Sequence, residues 1–488
     1  MLKTLARKLL YAISLMLVGA MCVVVLGYTL MLRSFPDLKP WHEVDLEEDF
    51  HADMQVDSLA GYLEVEARAF AELDREVLDQ IESSDQFAFN RFTRGSFSDP
   101  EQVEPNWNRT FELKQADPRG GVLLLHGLSD SPYSLRSVGQ QLHGDGWLVL
   151  GMRMPGHGTA PGAMRSFKRN DARAAVRIGV RHLRRQLGDD GPIMIVGYSN
   201  GAALATDYVS AAINDSDLPA VDGLILMSPA FAVAPIAAFA IWQARIGDLL
   251  GIDKLAWQTV TPEFDPYKYN SFSVRSGDQI YRFTQEIDKQ LLALQKSNAA
   301  DTFPPTLVFQ SVTDATVQPS AVVTRVLDRL AASGSALVLY DVSRHADAEP
   351  LYKPNVGAWV QERLSGPTPY SVTLLTNRSS GSEKVEAVTR HSGASEIVRQ
   401  PLDLAWPSGV FALSHVAIPF PLDDPVYGVS SDDGKLLNIG GAELRGETGV
   451  LAISASLLTR LRHNPFYTYQ AGRVREFAEQ IVKTHSTS

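Results

Sequence analysis

One stretch constrains this chain more than any other: Pro192-Ile193-Met194-Ile195-Val196-Gly197-Tyr198-Ser199-Asn200-Gly201. Ile193 to Val196 are too continuously apolar for a half-exposed strand, so a strand buried on both faces is expected. Ala202 to Ala205 then read as the start of a helix. A buried strand, a Gly-x-Ser-x-Gly turn and a helix make a nucleophile elbow, in which Gly197 and Gly201 allow strand and helix to approach. Ser199 is thereby the candidate nucleophile. The alternative is an ordinary exposed serine in a glycine-rich turn, and the surrounding chain argues against it.

From Gly120 onward, short apolar runs alternate with helical patterns, the sign of a parallel sheet covered on both faces. Strands are expected over 121–125, 147–152, 221–227, 306–310 and 336–340, with helices over 131–142 and 171–187. The stretch 230–303 interrupts this alternation and carries Phe231, Ile236, Phe239, Ile241, Trp242, Leu249, Leu250 and Trp257. Its apolar runs are too short to span a membrane, so it is expected to form an inserted cap. The expected fold class is α/β, a mostly parallel, doubly wound sheet.

The residues before the sheet divide in a different way. Leu9 to Leu32 holds no charged residue; as a helix it would be about 36 Å long, against a hydrocarbon core of about 30 Å. Lys3, Arg7 and Lys8 outweigh Arg33 and Lys39, so residues 1–8 are expected in the cytoplasm and 9–32 as an uncleaved signal anchor. In a bacterium the body would then be periplasmic. Residues 33–56 read as a linker, with Phe35 to Pro40 a stiff stalk. Residues 57–118 read as a helical extension and a first strand. In its helix, expected over 57–82, Leu59, Leu63, Phe70, Leu73, Val77 and Ile81 are expected inward, and Glu64, Arg68, Glu72, Arg75 and Asp79 outward. The domain built on this sheet would occupy 119–488, its C-terminal extension covering about 366–488.

The partners of Ser199 follow from chain order and position. The run Leu123-Leu124-Leu125 enters His126-Gly127-Leu128, where a backbone N–H of Leu128 would pair with that of Asn200 as an oxyanion hole. His126 precedes the nucleophile and reads as structural. His157, in Met154-Pro155-Gly156-His157-Gly158, reads as a turn histidine, and His391 as solvated. Asp314 ends the strand at 306–310 and is the candidate acid. Two histidines compete for the base. His345 stands 31 residues after Asp314; His415 stands 101 after it, beyond an expected strand at 409–413. His415 opens Ser414 to Gly428, a loop stiffened by Pro419, Pro421 and Pro425, and it is favoured; Arg344 counts against its neighbour His345.

The segments Leu-Leu-Leu-His-Gly-Leu (123–128), Arg-Met-Pro-Gly-His-Gly (153–158) and Gly-Tyr-Ser-Asn-Gly (197–201) resemble the α/β-hydrolase superfamily, and within it the monoacylglycerol lipase and lysophospholipase branch. The loop 414–428 is similar to that of a bacterial membrane-anchored group. The resemblance covers 120–345 well and the last 120 or so residues poorly. It implies an α/β-hydrolase fold and the spacing that would favour His345 over His415.

The totals exclude several other classes. Lys3, Arg7, Lys8, Arg33 and Lys39 against Asp37 leave residues 1–40 at +4; with the whole chain at −11, the remainder carries −15. An acidic body argues against nucleic acid and against docking on anionic lipid. The single cysteine, Cys22, allows neither an intrachain disulfide nor a thiolate metal site. No metal-ligand spacing and no phosphate loop stand out, so no cofactor is expected. The sequence thus points to ester hydrolysis of a lipid-like substrate, with a peptidase, an acyltransferase or a non-catalytic envelope protein as rivals.

Overall fold

A computed structural model describes residues 2–34, 36–188, 191–232, 252–297, 299–330, 333–345, 349–429, 437–441 and 453–487. The first element, helix α1 (Leu2–Ser34), is the one described helix long and apolar enough to cross a membrane, over Ala6–Gly27. Its apolar side chains, such as Leu10, Met16 and Val23, are exposed.

Among the described residues, ten strands form the main sheet: β1 (Phe111–Leu113), β2 (Gly121–Leu125), β3 (Leu148–Met152), β4 (Ile193–Tyr198), β5 (Gly223–Met227), β8 (Thr306–Ser311), β9 (Ala336–Tyr340), β10 (Ser371–Asn377), β11 (Lys384–Arg390) and β12 (Ile397–Ala405). A separate hairpin holds β6 (Trp257–Thr259) and β7 (Phe272–Ser273). The sheet order is β1-β3-β2-β4-β5-β8-β9-β10-β11-β12. The seven strands from β3 to β10 are parallel, while β1, β11 and β12 pair antiparallel at the two ends. Strands β2 to β5, β8 and β9 are buried at every position, because helices cover both faces.

Alternate residues of each strand feed two cores. Leu123, Leu125, Ile195, Leu224, Leu226, Val308, Leu337 and Leu339 meet α4 (Arg169–Leu187), α5 (Asn200–Ala212), α6 (Val274–Lys296) and α7 (Ala358–Ser365). On the opposite face, Val122, Leu124, Val196, Met227, Phe309 and Val338 meet α3 (Arg136–Gly144) and the C-terminal α8 (Tyr467–His485). The last helix closes the fold through Phe477 and Ile481, which pack over Gly223 of β5.

Several expectations need correction. The helix over 57–82 is shorter, α2 (Leu59–Glu76), capped by Ser58 and followed by a 3-10 turn at Leu78–Gln80. Its buried face is Leu59, Tyr62, Val65, Glu66, Ala69, Phe70, Glu72 and Leu73; Leu63 stays 39 % exposed and Glu72 turns inward. Glu72 does so because the amides of Glu47 and Glu48 donate to its carboxylate. The helix expected at 131–142 begins as a 3-10 turn, Pro132–Leu135, before α3. Residues 409–413 form no strand: only Ala412 bridges to Val342, in a turn with Gly409 at φ 75°. Of the expected cap, Ile236, Phe239, Ile241, Trp242, Leu249 and Leu250 lie outside the described residues. In its second half, α6 buries Ile280, Phe283, Ile287, Leu291 and Leu294 in the main core beside α5.

Candidate active site

The end of β4 and the start of α5 fix Ser199 in a conformation few side chains adopt, φ 53° and ψ −113°. The turn exists because its flanks carry no side chain. A Cβ on Gly197 would stand 2.5 Å from the Ala202 backbone, and one on Gly201 would overlap the Leu125 carbonyl. Two backbone hydrogen bonds hold the turn, Ser199 N–H to Met227 O at 2.9 Å and Ala230 N–H to Ser199 O at 3.1 Å. Ser199 is 9 % exposed. Asn200 is the first residue of α5, so its N–H has no acceptor within the helix. Leu128 follows β2 in the turn that contains Ser129 at φ 62°.

Asp314 sits just past β8. Its Oδ1 accepts the amides of Thr316 at 2.8 Å and Val317 at 3.0 Å; its Oδ2 accepts Gln310 Nε2 at 3.0 Å and His415 Nδ1 at 2.7 Å. Burial alone would raise this carboxyl, but the His415 imidazole and the two amides hold it below the ordinary carboxylate value. An ionised Asp314 requires the proton on His415 Nδ1, which leaves Nε2 free to accept. That Nε2 lies 3.0 Å from Ser199 Oγ. A hydroxyl, an imidazole and a carboxylate thus form one hydrogen-bonded line.

The structure brings Ser199, Asp314 and His415 together and places His345 elsewhere. His345 lines a different cavity, of about 600 Å³, with Tyr352, Trp406 and Phe411. Arg344 turns that loop away by pairing with Asp341 at 2.9 Å and donating to Val356 O. His415 reaches the site because β10 to β12 are inserted after β9 and the chain then comes back. Ser343 N–H donates to Phe411 O at 2.8 Å, and Val342 pairs with Ala412, so the return segment lies against the exit of β9. The extra residues enlarge the sheet without displacing the point where the loop re-enters the site.

His126 and His157 both support the backbone. His126 Nδ1 donates to Gly127 O at 2.8 Å, and its Nε2 accepts Met154 N–H at 3.0 Å. His157, fully buried, bonds Pro155 O at 2.9 Å. His391 is exposed. Sequence reasoning missed the groups that frame the site. Asp130 pairs with Lys268 at 3.2 Å, and Asp424 and Tyr427 anchor the loop that carries His415. Arg153, fully buried, joins Asp49 at 2.5 Å and Glu66 at 3.2 Å, tying the N-terminal extension to the turn after β3. An arginine in an otherwise apolar strand-end turn was the available signal. Among the described residues, no cluster of three or more His, Cys, Asp or Glu side chains could hold a metal.

A doubly wound parallel sheet with an elbow serine at the end of β4 is the α/β-hydrolase fold. Residues 116–347 match the family described as serine aminopeptidase, S33. A comparison with curated proteins finds no match. Among solved structures the chain is similar to a metagenome-derived lipolytic enzyme, at 18 % identity over 53 % of this chain and 99 % of that one, TM-score 0.37. It is similar to the monoacylglycerol lipase of Paleococcus ferrophilus at 19 % identity, covering 48 % and 88 %, TM-score 0.36. A soluble variant of monoglyceride lipase from Saccharomyces cerevisiae matches at 16 % identity over 48 % and 82 %, TM-score 0.36.

Proposed function

We propose that the chain is a membrane-anchored serine hydrolase that cleaves carboxylic esters through an acyl-enzyme. The observation that carries this reading is the line from Ser199 Oγ through His415 to Asp314, with contacts of 3.0 and 2.7 Å. His415 Nε2 takes the Ser199 proton as the hydroxyl attacks the acyl carbon. Asp314 fixes the tautomer and stabilises the imidazolium. The N–H groups of Leu128 and Asn200 receive the oxyanion. The imidazolium then returns its proton to the leaving alcohol, and water repeats the sequence to release the acid. A lipid-like ester, of monoacylglycerol or lysophospholipid type, suits an enzyme tethered by α1, with its N-terminus cytoplasmic and its body in the periplasm. The tether delivers the site to a surface where such esters concentrate.

A peptidase is the second reading, favoured by the description of the matching family. An aminopeptidase needs an anion for the substrate amine, and Asp130 beside the site is already paired with Lys268 at 3.2 Å, which favours the ester. The test is covalent labelling of the full chain in detergent by a fluorophosphonate, with Ser199→Ala, His415→Ala and His345→Ala alongside. Labelling is expected in wild type and His345→Ala and lost in the other two. Persistence in Ser199→Ala would overturn the assignment of the nucleophile. Long-chain monoacylglycerols are expected to exceed both short soluble esters and aminoacyl anilides in kcat/KM.

A further inference from the structure

The loop that carries His415 opens with a short 3-10 turn, His415–Ala417, and has no strand or longer helix over 418–428 to stiffen it. Asn464 and Gln470 donate to the carbonyls of Ile418 and Phe420, and a buried carboxylate anchors the loop farther along. Asp424 is 1 % exposed, nine residues after His415. Its Oδ1 accepts the Tyr133 hydroxyl at 2.9 Å and the amides of Val426 at 3.0 Å and Tyr427 at 2.9 Å. Its Oδ2 accepts Arg136 Nη2 at 3.2 Å. Every partner is a donor, so the arrangement is built for the carboxylate anion, and none of its oxygens is free to face substrate.

The partners belong to two different loops. Val426 and Tyr427 are on the His415 loop itself. Tyr133 and Arg136 stand in the turn and helix that immediately follow His126-Gly127-Leu128, the loop expected to supply an oxyanion amide. A second tie strengthens the same junction: the Tyr427 hydroxyl donates to Asp265 Oδ1 at 2.6 Å, and the Tyr267 ring stacks on Tyr133 with centroids 3.9 Å apart. One carboxylate therefore spans the gap between the loop bearing the base and the loop bearing the oxyanion donor.

We infer that Asp424 is a positioning residue, which sets the separation between the His415 imidazole and the Leu128 amide by bonding both loops at once. This rests on the reading of Ser199, His415 and Asp314 as the catalytic set. Nucleophilic attack needs base and oxyanion donor in register around one carbonyl, and a displacement of about 1 Å can cost on the order of 100-fold in rate. Asp424→Asn can keep its oxygen for Tyr133 and the two amides only by turning its N–H₂ toward Arg136, which can only donate. Tyr133→Phe removes one bond and keeps the ring stack.

The experiment uses the full chain in detergent: wild type, Asp424→Asn, Tyr133→Phe, and Val388→Ala as a destabilised control in β11, whose side chain is buried away from the site. Ester hydrolysis gives kcat and KM, thermal unfolding gives Tm, and proton NMR follows the downfield imidazole N–H shared by His415 and Asp314. Asp424→Asn is expected to lower kcat on the order of 10- to 100-fold with KM within about twofold, and to broaden the imidazole resonance. Tyr133→Phe should show the same changes to a smaller extent. Val388→Ala should lose Tm yet keep kcat and the resonance. If Val388→Ala loses kcat in proportion to Tm as the others do, or if Asp424→Asn keeps kcat and a sharp resonance, Asp424 is only a structural residue. The resonance needs no turnover. Should wild type hydrolyse nothing while the resonance responds as expected, the catalytic reading fails and the positioning of His415 by Asp424 stands.

Discussion

Ser199 at φ 53° is held in a strained conformation by the backbone on both sides of it, and Asp314 meets the site through an equally constrained set of contacts. The four donors on Asp314 leave no room for an amide. In Asp314→Asn the side-chain N–H₂ must face either the Thr316 and Val317 amides or the Gln310 and His415 nitrogens. Facing His415, it forces the imidazole proton onto Nε2, and Ser199 then points its hydroxyl at a donor. The expected loss in fluorophosphonate labelling rate is on the order of 10⁴-fold, with the fold intact by circular dichroism. A variant that labelled within about tenfold of wild type would show that the tautomer of His415 is set by something other than Asp314. Ser199 was legible because its glycines and flanking run are contiguous in sequence. Asp424 was not assigned a role, although it lies within the loop 414–428, because its partners Tyr133 and Arg136 are 291 and 288 residues away.

At the scale of elements, legibility followed burial. Strands β2 to β5, β8 and β9 are buried on both faces, so each reads as an unbroken apolar run. β11 and β12 lie at an edge of the sheet, and Lys384-Val385-Glu386 or Arg399-Gln400-Pro401 carry no such run; most of β12 is exposed. The inserted sheet edge was therefore invisible, and residues 409–413, apolar but turned by Pro407 and Gly409, read as a strand instead. The helix α2 misled for a related reason. Glu72 counts as outward by polarity and Glu66 is assigned to neither face, yet each is buried against specific donors. Glu66 shares the Arg153 guanidinium with Asp49, so the N-terminal extension is attached to the turn after β3 through one buried cation. Replacing Arg153 by Met keeps most of its length and leaves two buried carboxylates unpaired. The expected cost is about 3–5 kcal/mol, read as a Tm lowered by several degrees. Limited proteolysis should open residues 36–82 before the sheet; an unchanged Tm would mean the extension is held by its apolar contacts alone.

Over the whole molecule, the same face that carries the site also concentrates buried neutral histidines. His42 lies against Trp257 and Ser271, His126 joins β2 to the turn after β3, and His157 lies within that turn, 5.0 Å from His126 between ring centres. Burial, reinforced by the Lys39 ammonium, lowers His42 to about 3. Burial lowers His157 to about 4 and takes His126 well below its ordinary value. In the unfolded chain each binds a proton near pH 6.5, so below that value the unfolded state holds about three protons the folded state refuses. Glu263 acts in the other direction: burial raises it to about 7, so between about pH 4.5 and 7 the folded state holds one proton the unfolded state has lost. Asp130 and Asp424, also raised by burial, act in the same direction as Glu263, and His463, lowered by burial, acts with the other histidines. Over His42, His126, His157 and Glu263 the unfolded chain is ahead by about two protons near pH 5.5, a contribution of roughly 3 kcal/mol lost for each unit of pH. Below about pH 4 the depressed carboxyls of Asp49 and Asp314 add to the loss, since their stabilisation disappears as they are protonated. Thermal unfolding of the full chain in detergent between pH 7 and 4 is therefore expected to give a Tm that falls throughout. Glu263→Gln should steepen the fall between pH 7 and 5, because it removes a group that opposes the histidines. A Tm that stayed level or rose as pH dropped over that interval would mean that these histidines take up protons in the folded state, and that the face around Ser199 is open enough to hydrate them.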